Sequence, residues 1–398
     1  MTMHTIILKP SREKSLLRRH PWVFSGAIQK TEGRPKAGET VRVAAANGRI
    51  LGLGAFSPKS QIRVRMWTFV EETVNASFLT RRVHTAVNAR EELLRTDPTL
   101  TGVRLIHGES DGLPGVIVDR YGDFLCCQFL TAGAELWKGV LVDVLREASG
   151  CSNIFERSDT DARIKEGLPK VTGVLIGEEP PGEIGMVEAG LSFGVSLREG
   201  HKTGYYLDQR ANRALVGRHA ADRTVLNCFA YTGGFGLHAA ANGAARITNM
   251  DVSGPALDMS RRNLTRNGLA EAPVEHLEED VFKGLRRLRK EEQKFDLIVL
   301  DPPKFVEAKN HLTRGCRGYK DIAFQAMHLL HPGGLLFTFS CSGLVTPELF
   351  QKVTADAALD AGREAVILEF LGQSPDHPTA LSFPEGNYLK GLMVQVRS

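Results

Sequence analysis

No run of apolar residues in this 398-residue chain approaches the roughly 20 that cross a bilayer. The opening stretch, Met-Thr-Met-His-Thr-Ile-Ile-Leu-Lys-Pro, likewise lacks an apolar core long enough for a signal peptide. Both absences give the expectation of a cytoplasmic protein without membrane contact. Cysteine is sparse: the six, at positions 126, 127, 151, 228, 316 and 341, form no Cys-x-x-Cys pair and have no histidine cluster beside them. No zinc site is therefore expected, nor any other metal. Disulfides are not expected in such a compartment either, which leaves most of these thiols as small buried hydrophobes.

What is present is an ordinary globular composition, 42% hydrophobic and 24% charged, in a chain long enough for two or three domains. Its net charge of +4 is unevenly spread: residues 1–70 hold five Lys and eight Arg against three Glu, a net +10, so the remainder carries −6. A basic module on a mildly acidic body is the asymmetry expected when one part grips a polyanion, here nucleic acid. Asn47-Gly48 between Thr40–Val43 and Ile50–Leu53 predicts a hairpin, because both turn residues tolerate positive φ. Ile62-Arg-Val-Arg-Met-Trp67 alternates apolar and basic residues, so Arg63 and Arg65 share one face of a strand. The segment from Arg12 predicts a short basic helix ending before Pro21. A small barrel presenting Arg12, Lys14, Arg18, Arg19, Arg63 and Arg65 suits a phosphate backbone. Trp22 and Phe24 suit base stacking, although rings beside a small barrel more often belong to its core.

From about Val74 the pattern becomes α+β. Helical spacing over Phe78–Leu94 and Glu135–Glu147 surrounds a predicted hairpin, Val116–Asp119 with Phe124–Leu130, closed at Tyr121-Gly-Asp. Glu109, Asp111 and Asp119 read as turn carboxylates, solvated or capping, and receive no role. Glycine- and proline-rich Val171–Gly185 is the expected hinge. Beyond it strands and helices alternate, the mark of a doubly wound sheet: strands at Thr224–Cys228, Arg246–Met250, Val274–Leu277, Leu297–Leu300 and Leu335–Phe339, with Val366–Phe370 and Leu389–Val396 closing it as an antiparallel pair. The expected domains are residues 1–72, 73–180 and 181–398, a multidomain α/β protein.

Two of those strands end at reactive side chains, Asp301 and Cys341, and ligands of open α/β sheets sit beyond the carboxyl ends of the strands. Tyr231-Thr232-Gly233-Gly234-Phe235-Gly lies between a strand and a helix, where glycines let backbone approach a ligand. Its spacing is not Gly-x-Gly-x-x-Gly, which disfavours a dinucleotide. Asp251, about 20 residues on, is placed for two ribose hydroxyls, and Asp280 for an adenine amino group. Three strand-end acids in register point to S-adenosylmethionine. Asp301-Pro-Pro-Lys304-Phe305 resembles the Asp-Pro-Pro-aromatic loop with which methyltransferases grip an exocyclic amine, with Lys304 in place of the ring. The polar segment Arg198–Arg210 is placed to fold over the methionine end through Lys202, Gln209 and Arg210, or else is a plain connection capped by Asp208.

Cys341 speaks for different chemistry. Carbon 5 of a pyrimidine accepts a methyl group only after a thiolate adds to carbon 6 and makes carbon 5 enamine-like. Cys341, between two serines at a strand exit, has the exposure such a thiol needs. Cys316, in Arg314-Gly-Cys-Arg-Gly-Tyr-Lys-Asp, is expected on a cation-rich loop and is the weaker candidate.

Taken together, Asn227-Cys-Phe-Ala-Tyr-Thr-Gly-Gly-Phe, Leu300-Asp-Pro-Pro-Lys-Phe, Cys316-Arg-Gly-Tyr-Lys-Asp, Phe339-Ser-Cys-Ser-Gly, His201-Lys-Thr-Gly-Tyr-Tyr-Leu-Asp-Gln-Arg and Arg12-Glu-Lys-Ser-Leu-Leu-Arg-Arg-His-Pro-Trp-Val-Phe-Ser-Gly resemble the RlmI family of bacterial large-subunit rRNA cytosine-C5 methyltransferases. The resemblance covers essentially the whole chain. It implies an N-terminal PUA domain, a small β-barrel; a central α+β domain; and a C-terminal Rossmann-like class I methyltransferase domain. It further implies S-adenosylmethionine as cofactor, 23S rRNA as partner and Cys341 as nucleophile, with Asp301 holding the cytosine amino group or N3 and Lys304 nearby. Related enzymes often carry a second cysteine by the Asp-Pro-Pro motif; here Pro302, Pro303 and Lys304 fill the place. Two other readings stand beside this one: amine methylation through Asp301-Pro-Pro, and a non-catalytic RNA-binding assembly factor. Oligomeric state is not legible.

Overall fold

The computed structural model describes residues 3–397; Met1 and Thr2 of the opening stretch, and Ser398, lie outside it. It divides into two compact units. One comprises the chain to Glu188 with Val195–Leu207 and Pro375–Gly386; the other comprises Ala189–Gly194, Asp208–Ser374 and the chain from Asn387.

The first unit holds two sheets. In the N-terminal one, β1 (Thr5–Leu8), β2 (Trp22–Phe24), β3 (Ile28–Glu32), β4 (Thr40–Ala44), β5 (Ile50–Phe56) and β6 (Ile62–Thr68) take the order β2-β6-β5-β4-β1-β3. The predicted hairpin is β4–β5, with Gly48 at φ +84° and the Asn47 side chain accepting the Arg49 N–H at 3.1 Å. Alternation sends Val41, Val43, Val64 and Met66 inward onto Ile6, Leu8 and Leu16. The basic helix is a single turn, Lys14–Leu17.

The second sheet contains β7 (Gly102–His107), β8 (Val116–Tyr121), β9 (Phe124–Phe129), β10 (Asn153–Ser158) and β11 (Val171–Ile176), in the order β11-β10-β9-β8-β7. Helices Ala76–Asn88 and Lys138–Ser149 supply Phe78, Leu79, Val83, Leu141 and Leu145 to its core. The periodicity of 78–94 suggested one helix, but a second begins at Glu91. The break falls at Arg90, which turns inward to the Arg104 carbonyl at 3.0 Å and to both Asp111 oxygens at 2.9 and 2.8 Å. Val171–Ile176, expected as hinge, is instead an edge strand antiparallel to β10. The chain continues into β12 (Ile184–Glu188) and then β13 (Leu191–Val195).

The second unit is a seven-stranded sheet of β14 (Thr224–Cys228), β15 (Arg246–Asp251), β16 (Val274–Glu278), β17 (Phe295–Leu300), β18 (Leu330–Ser340), β19 (Ala365–Gly372) and β20 (Lys390–Val396). Their order is β16-β15-β14-β17-β18-β20-β19. β14 to β18 pair in parallel and β20 inserts antiparallel between β18 and β19, the doubly wound arrangement that the strand–helix alternation predicted. Both faces are covered, which explains the near-continuous hydrophobicity of the central strands. Leu226, Ile298, Leu300 and Leu336 pack with helices Val281–Lys290, Leu312–Leu329 and Pro347–Asp360. Their alternates Val225, Leu297, Val299, Leu335 and Phe337 pack with helices Arg210–Arg218 and Gly234–Ala241. Among the described residues no helix is long and apolar enough to cross a membrane.

Candidate active site

The chain departs from β14 toward β15 on one side and β17 on the other, so the sheet's topological switch lies between β14 and β17. In register, Cys228 of β14, Leu300 of β17 and Thr338 of β18 stand level at the carboxyl edge. Asp301 follows one residue beyond that line and Cys341 three.

After Cys228 the backbone enters the left-handed region three times in five residues, at Phe229 (φ +57°), Tyr231 (+48°) and Gly233 (+77°). Non-glycine residues there cost about 1–3 kcal/mol each and concentrate at ligand clamps. Asp251, at the tip of β15, holds the loop in this shape: one carboxylate oxygen accepts the Tyr231 N–H at 2.8 Å and the other the Ser253 N–H at 2.9 Å. Gly233 admits no side chain, since a Cβ would lie 2.0 Å from the Ser260 hydroxyl. Gly234 begins the helix that follows. The buried Thr232 hydroxyl has no hydrogen-bond partner among the described residues, and an oxygen in that condition favours a polar ligand. Asp280 caps helix Val281–Lys290 by accepting the Lys283 N–H at 3.0 Å and remains exposed. These residues fit an adenosine-type cofactor: a glycine cradle, a carboxylate at the second strand and an exposed acid beyond the third.

Asp301 follows β17 and accepts a hydrogen bond from the Gln209 amide at 3.0 Å. Gln209 accepts in turn from Asn212 at 2.6 Å, so its orientation is determined. The structure thus joins Gln209 to Asp301, two residues singled out separately in the sequence. Arg210, buried, opens the helix that Asn212 belongs to. Lys202 belongs to the first unit, where its ammonium lies 4.5 Å from the Tyr206 ring centre.

Cys341 follows β18. Ser340 and Ser342 turn to one face, where the hydroxyls of both lie 3.0 Å from the Tyr319 hydroxyl and Ser342 accepts the Val306 N–H at 3.2 Å. Strand alternation sends Cys341 to the other face, against the apolar cluster that includes Phe339 and Met393. It is partly exposed. Cys316 is the other thiol that is not fully buried, but it lies on helix Leu312–Leu329 and not on a loop, and burial pushes its thiol pKa up. The remaining four are buried, and burial likewise raises Cys126, Cys127 and Cys228. Lys304 is exposed on the loop after Asp301.

One residue of this edge went unnoticed in the sequence. Lys390 opens β20 directly opposite Ser340, is buried, and donates to the Ser342 carbonyl at 2.8 Å. A lysine starting a C-terminal strand carries no motif; only sheet order reveals it.

In the first unit Arg12, Lys14, Arg18, Arg19 and the Phe24 ring are exposed. Arg65 departs from expectation: its guanidinium meets Glu166 at 2.7 Å and Glu109 at 3.6 Å, with 11% of the side chain exposed. A cation already paired has little left for a phosphate. Arg63 donates to the Pro58 carbonyl. Trp22 donates its indole N–H to Glu109 at 2.8 Å and packs edge-on against Phe383, ring centres 4.8 Å apart, so that ring is committed to packing.

Comparison with known proteins agrees with this geometry. The sequence model of the S-adenosylmethionine-dependent methyltransferase family matches residues 168–393, and that of the PUA-like domain residues 6–69. The chain is 56% identical to ribosomal RNA large subunit methyltransferase I of Shewanella amazonensis, covering 98% of this chain and 99% of that protein. It is 55% identical to the protein of that name from Shewanella denitrificans, with the same coverage. A solved structure from Streptococcus mutans has the same fold, with a TM-score of 0.85 at 23% identity, over 99% of this chain and 100% of that one.

Proposed function

Because the chain belongs to the ribosomal RNA large subunit methyltransferase I family, an S-adenosylmethionine-dependent family, we propose that it methylates carbon 5 of a cytosine in 23S rRNA through a thiolate at Cys341. The observation that carries the choice of chemistry is the placement of that thiol. It is partly exposed beyond the carboxyl edge of β18, one strand from Asp301, while the other partly exposed thiol sits on a helix with its pKa raised.

The cofactor supplies an electrophilic methyl group. The Tyr231–Gly234 cradle and Asp251 hold its adenosine portion, Asp280 faces the base, and Gln209 and Arg210 lie toward the amino-acid end. Exposed Arg12, Lys14, Arg18 and Arg19, with Lys304, hold phosphate. The target base leaves the stack, since carbon 6 is unreachable within it. Asp301, oriented by Gln209, accepts the cytosine amino N–H. The Sγ of Cys341 bonds to carbon 6 and sends the electron pair to carbon 5, which then accepts the methyl group. Loss of the carbon-5 proton and cleavage of the Sγ–C6 bond release product and thiolate.

The test compares wild type with Cys341→Ala on unmodified 23S rRNA and labelled cofactor. The expected outcome is a loss of transfer to carbon 5 by at least about a thousandfold, with cofactor binding retained in calorimetry. Transfer persisting at full rate would instead assign the chemistry to amine methylation at Asp301-Pro-Pro, and cofactor binding with no transfer by either protein would leave an RNA-binding factor.

A further inference from the structure

We propose that Asn263 is a positioning residue for the cofactor, a single side-chain amide that couples the glycine cradle to β13, so that cofactor binding and the seating of β13 reinforce each other. The inference rests on the assignment of Tyr231–Gly234 to the cofactor above.

Helix Gly254–Arg266 lies against the cradle: a Cβ at Gly233 would stand 2.0 Å from the Ser260 hydroxyl. About one turn further along the same face comes Asn263, wholly buried. Its Nδ2 donates to the Thr232 carbonyl at 3.2 Å, and its Oδ1 accepts the Gly194 N–H at 2.8 Å. The amide therefore joins two backbone segments that lie 31 and 69 residues from it in the chain. Its orientation is unambiguous: a carbonyl only accepts and an N–H only donates, so turning the amide over would break both bonds.

Asn267, a turn later, completes the hold on β13. Its Oδ1 accepts the Ser192 N–H at 2.8 Å, while its Nδ2 donates to the carbonyls of Ser192 and Asn263, each at 2.7 Å. Two side-chain amides thus satisfy backbone groups of Ser192 and Gly194 that must find partners when buried. Asn263 is the member of this pair that also reaches the cradle.

At the cradle end, Thr232 stands between Tyr231 at φ +48° and Gly233 at +77°, so its carbonyl is fixed within a strained segment. Its buried hydroxyl has no partner among the described residues and is the group a polar ligand engages. A ligand on Thr232 tightens a residue already tied through Asn263 to Gly194. A seated β13 in turn presents the cradle in its binding shape. Linkage makes the two effects equal in size.

The test is hydrogen exchange in the full-length protein, read by mass spectrometry in peptides covering Ser192 and Gly194, with and without saturating S-adenosylmethionine. Amides of β19, at the opposite edge of the sheet from β16, report general stabilisation. The expected result is that cofactor slows exchange at Gly194 about tenfold more than at β19. Asn263→Ala lowers calorimetric cofactor affinity about tenfold and abolishes the excess slowing at Gly194. A purely structural asparagine would leave affinity unchanged and both sets of amides shifted alike. If Asn263→Ala does not fold, the wild-type protein still decides, because equal slowing at Gly194 and β19 overturns the inference. Wild-type affinity in a folded Asn263→Ala also overturns it. With Gly233→Ala impaired in cofactor binding, either result removes only the role of Asn263; full affinity in Gly233→Ala removes the cradle assignment itself.

Discussion

In the first unit Arg104 and Asp119 sit directly opposite on β7 and β8, joined at 2.8 and 2.7 Å, with Asp119 wholly buried. In the second, β14, β17 and β18 are buried to their last residues without a charged side chain in their core positions, and reactive groups begin one residue past the edge. The first pattern recurs: Arg90 pairs with Asp111, Arg163 with Glu135 and Lys138 with Glu156. Titratable groups are abundant in both places, yet they are mutually satisfied in one and poised at an opening in the other. A buried charge with a fully matched partner is scaffold. At the edge the groups are oriented by neutral partners, Asp301 by the Gln209 amide and Lys390 by the Ser342 carbonyl.

Three groups of substitutions sharpen or break this contrast, in order of expected effect. Arg104→Ala leaves Asp119 charged and unmatched in the interior, a loss of about 3–5 kcal/mol to be read as a lower urea midpoint. The double replacement Arg104→Met with Asp119→Leu recovers most of it, because removing both charges removes the desolvation penalty. If Arg104→Ala is neutral, the paired charges of the first unit are not scaffold.

Gly233→Ala tests the other region. It combines a left-handed backbone with a Cβ 2.0 Å from Ser260 Oγ, so cofactor affinity falls by roughly tenfold or more, corresponding to about 1–3 kcal/mol of strain. Gly243→Ala is the control, since φ is +79° but nothing lies within 4 Å. It costs about 1 kcal/mol of stability and leaves calorimetric cofactor affinity unchanged.

The smallest effects concern RNA. Individual alanine substitutions at Arg12, Lys14, Arg18 or Arg19 weaken 23S rRNA binding and reduce the slope of log affinity against log salt by about one per lost phosphate contact. Arg65→Ala lowers stability by releasing Glu166 and leaves that slope unchanged. A flattened slope for Arg65→Ala would move this arginine from scaffold to RNA surface.

Legibility in the sequence follows the range of the interaction responsible. The strands of the large sheet were visible within one or two residues, except that β18 begins five residues earlier than expected, at Leu330, because burial on both faces imposes a local apolar run. Cys316 was misplaced onto a loop because Gly315 and Gly318 suggest a turn. In the folded chain these glycines let the helix approach its neighbour closely: a Cβ at Gly315 would stand 2.2 Å from Val306, and one at Gly318 3.2 Å from the Phe305 ring. Arg65 and Trp22 looked free because their carboxylate partners, Glu166 and Glu109, lie 101 and 87 residues away. Helix and strand periodicity carries no information at that separation.

The sequence by itself determined the alternating strands and helices, the glycine cradle and its acids, and the two strand ends that deliver Asp301 and Cys341. Each rests on local spacing, and backbone geometry converts local spacing directly into faces and edges. Tertiary structure alone decided which arginines are spent on internal carboxylates and that Cys316 lies on a helix. It also decided that a lysine near the C-terminus is buried opposite Ser340 at the end of β18. That last placement depends on β20 inserting antiparallel between β18 and β19, and no short-range pattern encodes the order in which distant strands pair.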